Sequence, residues 1–99
     1  MFVAGQLPID RDGGLIGKGD IARQTETVLD HLAAILREAG SSMEKVVKTT
    51  VFLTNLDDFK TMNDVYGRCF AAPYPARSTV EINRLPQGML IEIDCVALA

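Results

Sequence analysis

Between Asp20 and Gly40, residues Ile21, Thr25, Val28, Leu29, Leu32, Ile35, Leu36 and Ala39 fall on one stripe at 3.6-residue spacing. Arg23, Glu26, Asp30, Arg37 and Glu38 lie mostly outside it. Asp20 can accept hydrogen bonds from the free N–H groups of a first turn, and Gly40 suits the left-handed residue that ends a helix. The spacing therefore predicts an amphipathic packing helix of about five turns. Its apolar stripe must be covered by another layer, and a chain of 99 residues has room for one domain. The expectation is a single domain over residues 1–99.

The covering layer reads as a sheet. Met1 to Ile9 is a strand that Pro8 restricts to an edge or an end, and Asp10 to Gly14 is a turn in which Gly13 and Gly14 accept positive φ. Leu15 to Lys18 suits a short returning strand. Val46 to Thr54 is rich in β-branched residues, with Val47, Val51 and Leu53 on one face and Lys48, Thr50 and Phe52 on the other. Asn55 or Asp57 caps a second helix running to about Phe70, with Phe59, Met62, Tyr66 and Phe70 as its apolar stripe. Pro73 and Pro75 stiffen the next connection. Ser78–Asn83 and Ile91–Ala97 are strands, and the loop Arg84–Leu90 suits a hairpin. The order β-β-α-β-α-β-β implies an α+β fold: a mixed sheet with both helices packed on one face.

The sheet's other face is then bare. With 47% hydrophobic residues and only 23% charged, it carries too much apolar material for water, so packing against partner subunits is the natural solution. The net charge of −3, from ten scattered basic residues against thirteen acids, disfavours a nucleic-acid partner. Cys69 and Cys95 form no CxxC and no cluster with His31, which excludes a readable zinc site and favours plain buried thiols. His31 reads as structural. No signal peptide precedes the first polar residues and no apolar run reaches the ~20 residues of a membrane span, so the expected location is the cytoplasm.

Few residues can carry chemistry. Arg77 follows the rigid Pro75-Ala76 approach and points the same way as Thr79 and Glu81, on a strand that the hairpin makes interior. A guanidinium there can grip a carboxylate by two parallel hydrogen bonds, or sit in a structural ion pair with Glu81 or Glu92. Glu92, if the hairpin pairs its two strands, shares a face with Arg77 and can order a water; otherwise it is a charge on a solvated edge. Gly5 lies inside a strand, which points either to close approach of a ligand or backbone or to a β-bulge. Asn63 and Tyr66 stand one turn apart on the second helix, Asn63 reading as solvated and Tyr66 as core. No Ser-His-Asp set or phosphate loop occurs.

Six segments in order resemble the Rid family, also called YjgF-type, of reactive-intermediate deaminases. They are Phe2-Val3-Ala4-Gly5-Gln6-Leu7-Pro8, the helix Gln24–Gly40, Val46-Val47-Lys48-Thr49-Thr50-Val51-Phe52-Leu53, Met62-Asn63-Asp64-Val65-Tyr66, Pro75-Ala76-Arg77-Ser78-Thr79-Val80 and Ile91-Glu92-Ile93. The resemblance implies a chorismate-mutase-like homotrimer whose sheets form a central barrel, with sites in the clefts between subunits. It implies hydrolysis of 2-imino acids or their enamine tautomers, such as 2-iminobutanoate and 2-iminopropanoate, to 2-oxo acids and ammonia, without metal or organic cofactor. Carried over by position, Arg77 clamps the substrate carboxylate and Glu92 holds the hydrolytic water. Gly5 and Thr79 line the cleft through their backbones, and Asn63 borders it. Position 79 is often cysteine in the family, and Ala4 stands where many members have serine. Met1 falls where the family is already inside a strand, so the expectation is a form lacking the first strand pair. Two other readings accompany this one: a small-carboxylate-binding module without turnover, and an RNA-directed translation inhibitor or ribonuclease.

Overall fold

Asp20 accepts from the Arg23 N–H at 3.0 Å and caps helix α1 (Ile21–Glu38). At the other end Gly40 takes φ +83°, and the N–H groups of Gly40 and Ser41 return to the carbonyls of Arg37 and Leu36, closing the helix with a left-handed turn. In this computed structural model, which describes residues 1–99, the remaining elements are β1 (Phe2–Gln6), β2 (Val46–Leu53), α2 (Phe59–Cys69), β3 (Ala76–Glu81) and β4 (Ile91–Ala97). A short 3₁₀ turn, Leu56–Asp58, leads into α2, and Asn55 caps it by accepting from the Asp57 N–H.

The four strands form one mixed sheet in the order β1-β4-β2-β3. β4 runs antiparallel to both neighbours, whereas β3 is parallel to β2, with α2 as the crossover between them. Two expectations change here. The segment Leu15–Lys18 makes a single bridge, Leu15 to Ile9, and no strand. The strands β3 and β4 do not pair as a hairpin, because the α2 crossover sets β3 parallel on one side of β2 and β4 takes the other. The connection rounds the end of β2, where the Ile82 N–H donates to Leu53 O and the Thr54 N–H donates to Leu90 O. β3 is therefore an edge strand, not an interior one.

Both helices pack on one face of the sheet, over Val51, Leu53, Ile91, Ile93 and Cys95, which are almost wholly buried against Leu29, Leu32, Leu36 and Met62. The register shift between Val46 and Lys48 adds a residue to β2 and reverses its phase. Val46 is 6% exposed and Val47 44%, so it is Val46, not Val47, that joins Val51 and Leu53 in the core. The opposite face carries Phe52, Glu92, Asp94 and Val96, together with the exposed side chains of Val80 and of Phe2, which is 86% exposed. No second layer covers that face within the chain.

Two polar side chains fasten the connections. Gln24, fully buried, donates to Gly17 O at 2.9 Å and accepts from the Leu90 N–H at 2.8 Å, joining two loops distant in sequence. His31 Nε2 lies 2.8 Å from Ile9 O. Since a carbonyl only accepts, that nitrogen carries the proton and ties the first loop to α1. Cys95 is buried and Cys69 only half-buried, and both are free thiols. No helix is long and apolar enough to cross a membrane.

Candidate functional site

The parallel register of β2 and β3 sets Arg77 beside Thr49, and the antiparallel register of β2 and β4 sets Thr49 beside Cys95. Residues aligned in this way share a face, so Arg77 projects toward α2 at the open edge of the sheet. There its Nη1 donates to Asn63 Oδ1 at 2.6 Å. The guanidinium carbon also lies 4.7 Å from the centre of the Tyr66 ring and 5.3 Å from that of Phe59, within cation–π range of both. Phe59, Asn63 and Tyr66 are spaced i, i+4, i+7 and therefore form one stripe of α2. Arg77, Asn63, Tyr66, Gly67, Tyr74 and Pro75 line a cleft of about 390 Å³.

No carboxylate neutralises this cation. Glu81 is engaged with the Leu56 N–H at 2.9 Å, and the one ion pair of the chain is Lys60–Asp64 on the surface. The ion pair with Glu81 or Glu92 that the strand spacing allowed is thus not formed. A half-buried guanidinium with no ion pair and most of its donors unspent has the chemistry to bind an anion.

Tyr66 Oη and Thr49 Oγ1 are 2.7 Å apart in the core. Burial pushes the Tyr66 phenol above its ordinary range, opposed by the Thr49 hydrogen bond and the Arg77 charge. The ring beneath Arg77 is accordingly neutral and locked at its far end. Thr79, next along the same face of β3, has its hydroxyl buried without a hydrogen-bond partner.

Glu92 does not join this group. Cys95 shares the Arg77 face, so Glu92, three positions earlier, lies on the opposite face beside Phe52. The expectation that Arg77 and Glu92 share a face rested on the β3–β4 hairpin, and it fails with it. Glu92 instead lies over Gly5: a Cβ built there would come 2.6 Å from Cδ and 2.9 Å from Cγ of Glu92. Gly5 also falls in the register shift between Val3 and Gln6. The β-bulge reading of the glycine therefore holds, while the group that approaches it is the Glu92 side chain and not a ligand or another backbone.

The five sequence-derived residues thus separate into two groups on opposite faces of the sheet. Arg77, Asn63 and Thr79 stand at the β3 edge on the helix side, and Gly5 and Glu92 stand on the bare face. Sequence reasoning did not assign Phe59, Tyr66 and Thr49 to the site, although the i, i+4, i+7 spacing of Phe59, Asn63 and Tyr66 was there to be read. A separate hollow of about 460 Å³, lined by residues including Ile9, Asp10, Ile16, His31 and Ile35, is mostly apolar. Its Asp10 and His31 are occupied with backbone groups, whereas Arg77 keeps free donors at its cleft.

The family model described as endoribonuclease L-PSP matches residues 1–99. A RutC family protein of Pyrococcus abyssi is 52% identical over 98% of this chain and 76% of its own length. The chain belongs to the Rid/YjgF family. The crystal structure of RidA from an Antarctic Psychrobacter shares the fold at a TM-score of 0.92 and 35% identity, over 99% of this chain and 79% of that one. Escherichia coli TdcF, solved with bound serine, is similar at a TM-score of 0.90 and 37% identity, over 99% and 79%. The α+β architecture, a mixed sheet with both helices on one face, is that of the Rid family.

Proposed function

We propose that this chain is an imine deaminase, hydrolysing 2-imino acids or their enamine tautomers to 2-oxo acids and ammonia. The observation that carries the reading is the unpaired Arg77 guanidinium, held against Asn63 and two aromatic rings at the rim of an open cleft. Such a group binds a carboxylate through two parallel hydrogen bonds and so fixes the neighbouring imine carbon. A water held by Glu92 adds its oxygen to that carbon. Both protons of that water pass to the nitrogen, the C–N bond breaks as the C=O bond forms, and the nitrogen leaves as ammonia. Membership of the Rid family supports the reaction class, and the serine bound by TdcF is itself a small molecule with a carboxylate.

Because Arg77 and Glu92 of one chain face opposite sides of the sheet, the working site draws on two chains. Arg77, Asn63 and Thr79 come from one subunit, and Glu92 over Gly5 comes from its neighbour. A homotrimer with the bare sheet faces turned inward supplies that arrangement and covers Phe2 and Val80. The reaction asks for no metal or organic cofactor. The net charge of −3 weighs against an RNA substrate. The test is the disappearance of freshly generated 2-iminobutanoate: wild type accelerates it and Arg77→Ala does not. Equal rates for the two proteins refute the reading. Binding of 2-oxobutanoate without turnover supports the carboxylate-binding module instead.

A further inference from the structure

Resting on that carboxylate reading, we infer that Phe59 and Tyr66 are positioning residues: a two-ring clamp that fixes the plane of the Arg77 guanidinium and limits how an anion can reach it. The two rings are seven residues apart on α2, which separates their attachment points by ~10 Å, or about two turns. The guanidinium carbon is 5.3 Å from one ring centre and 4.7 Å from the other and lies over both rings, so it is held against two aromatic faces at once. Asn63, between the two in sequence, takes one N–H of Nη1. The other guanidinium donors make no hydrogen bond within the chain and are left for a ligand in the cleft that Arg77 lines.

Each ring is anchored differently. Tyr66 is buried, stacks on Phe70 with ring centres 4.6 Å apart and is tethered to Thr49 through its hydroxyl. Phe59 is 37% exposed and belongs to no part of the core cluster, although the apolar stripe of α2 includes it. A phenylalanine left this open at the start of a helix contributes little to folding, and its contact with Arg77 accounts for it. The clamp lowers the rotamer entropy that a long arginine loses when it grips a ligand, so affinity rises without any new ligand contact.

Phe59→Leu keeps the apolar volume and removes the ring face. We expect it to weaken 2-oxobutanoate binding about three- to fivefold, the order set by the freedom that one long side chain loses on gripping a ligand, and Phe59→Tyr to restore wild-type affinity. In the ligand-free protein the Arg77 Nε–H resonance is displaced by the two ring currents, moves toward the free-arginine position in Phe59→Leu and returns in Phe59→Tyr. An affinity loss with an unmoved resonance overturns the clamp, and so does a moved resonance with unchanged affinity. Should the wild type bind no 2-oxobutanoate, the carboxylate reading falls and the resonance alone decides: a shift in Phe59→Leu sustains the clamp, and none refutes it.

Discussion

The side chain of Glu92 lies where a Cβ on Gly5 would stand. The two residues are separated by almost the whole chain and are brought together because β1 pairs with β4. Glycine at position 5 thus leaves the space that the Glu92 carboxylate occupies.

Gly5→Ala is therefore expected to displace Glu92 and to abolish most imine hydrolysis at a stability cost of about 0.5 kcal/mol or less, because the half-exposed Glu92 side chain can swing away from the added methyl. Imine-hydrolysis assays and denaturant unfolding of the variant measure the two effects. A loss of several kcal/mol would show that the methyl meets backbone or core instead of the Glu92 side chain.

Tyr66→Phe leaves the buried Thr49 hydroxyl without its partner. The expected cost is about 1–3 kcal/mol, the penalty for an unsatisfied buried polar group. Adding Thr49→Val should recover most of it, because both polar groups are then gone. Chemical denaturation of the single and double variants checks this.

Thr79 presents the reverse case, a buried hydroxyl with no partner in the chain. Thr79→Val keeps the shape and removes the unsatisfied group, so its melting temperature should equal or exceed that of the wild type. A fall of several degrees would mean that the hydroxyl is bonded after all.

Burial raises the Tyr66 phenol and the Cys95 thiol above their ordinary values of 10.0 and 9.0. Both are neutral when protonated, and the unfolded chain releases these protons at lower pH than the folded one. Their contribution is thus complete below about pH 9 and is lost as the pH rises through the folded values. Stability should decline on the alkaline side from about pH 9. Cys95→Ala should flatten the first part of that decline, as thermal melts between neutral and alkaline pH would show.

Local features were legible in the sequence, and neighbour relations were not. Asp20, Gly40 and the stripe between them specify the limits of α1 through contacts within a turn or two of the chain, but Ile35 and Ala39 of that stripe are exposed while Gln24 and Thr27, outside it, are buried. Alternation along Ile91–Ala97 likewise identified β4 and its two faces. The pairing of strands depends on α2 carrying the chain across to the far side of β2, which no local pattern in Arg84–Leu90 reveals. That one unreadable choice made β3 an interior strand and put Glu92 on the wrong face. The bulge at Val47 shifted a phase that β-branched residues alone cannot mark. Gln24 lies outside the apolar stripe of α1, and its burial comes from partners in distant loops, Gly17 and Leu90, which local spacing does not reveal. Arg77 was found as a candidate, but its freedom from any carboxylate is a tertiary fact.

The claim that Arg77 and Glu92 act from different chains is tested most directly by complementation. Arg77→Ala and Glu92→Gln chains, each inactive alone, are co-expressed so that mixed assemblies form, and hydrolysis of 2-iminobutanoate is measured. Sites in trans predict that the mixture regains activity that neither parent has, since some interfaces unite an intact Arg77 with an intact Glu92. A mixture that forms mixed assemblies yet stays as inactive as its parents, beside an active wild type, would contradict the account.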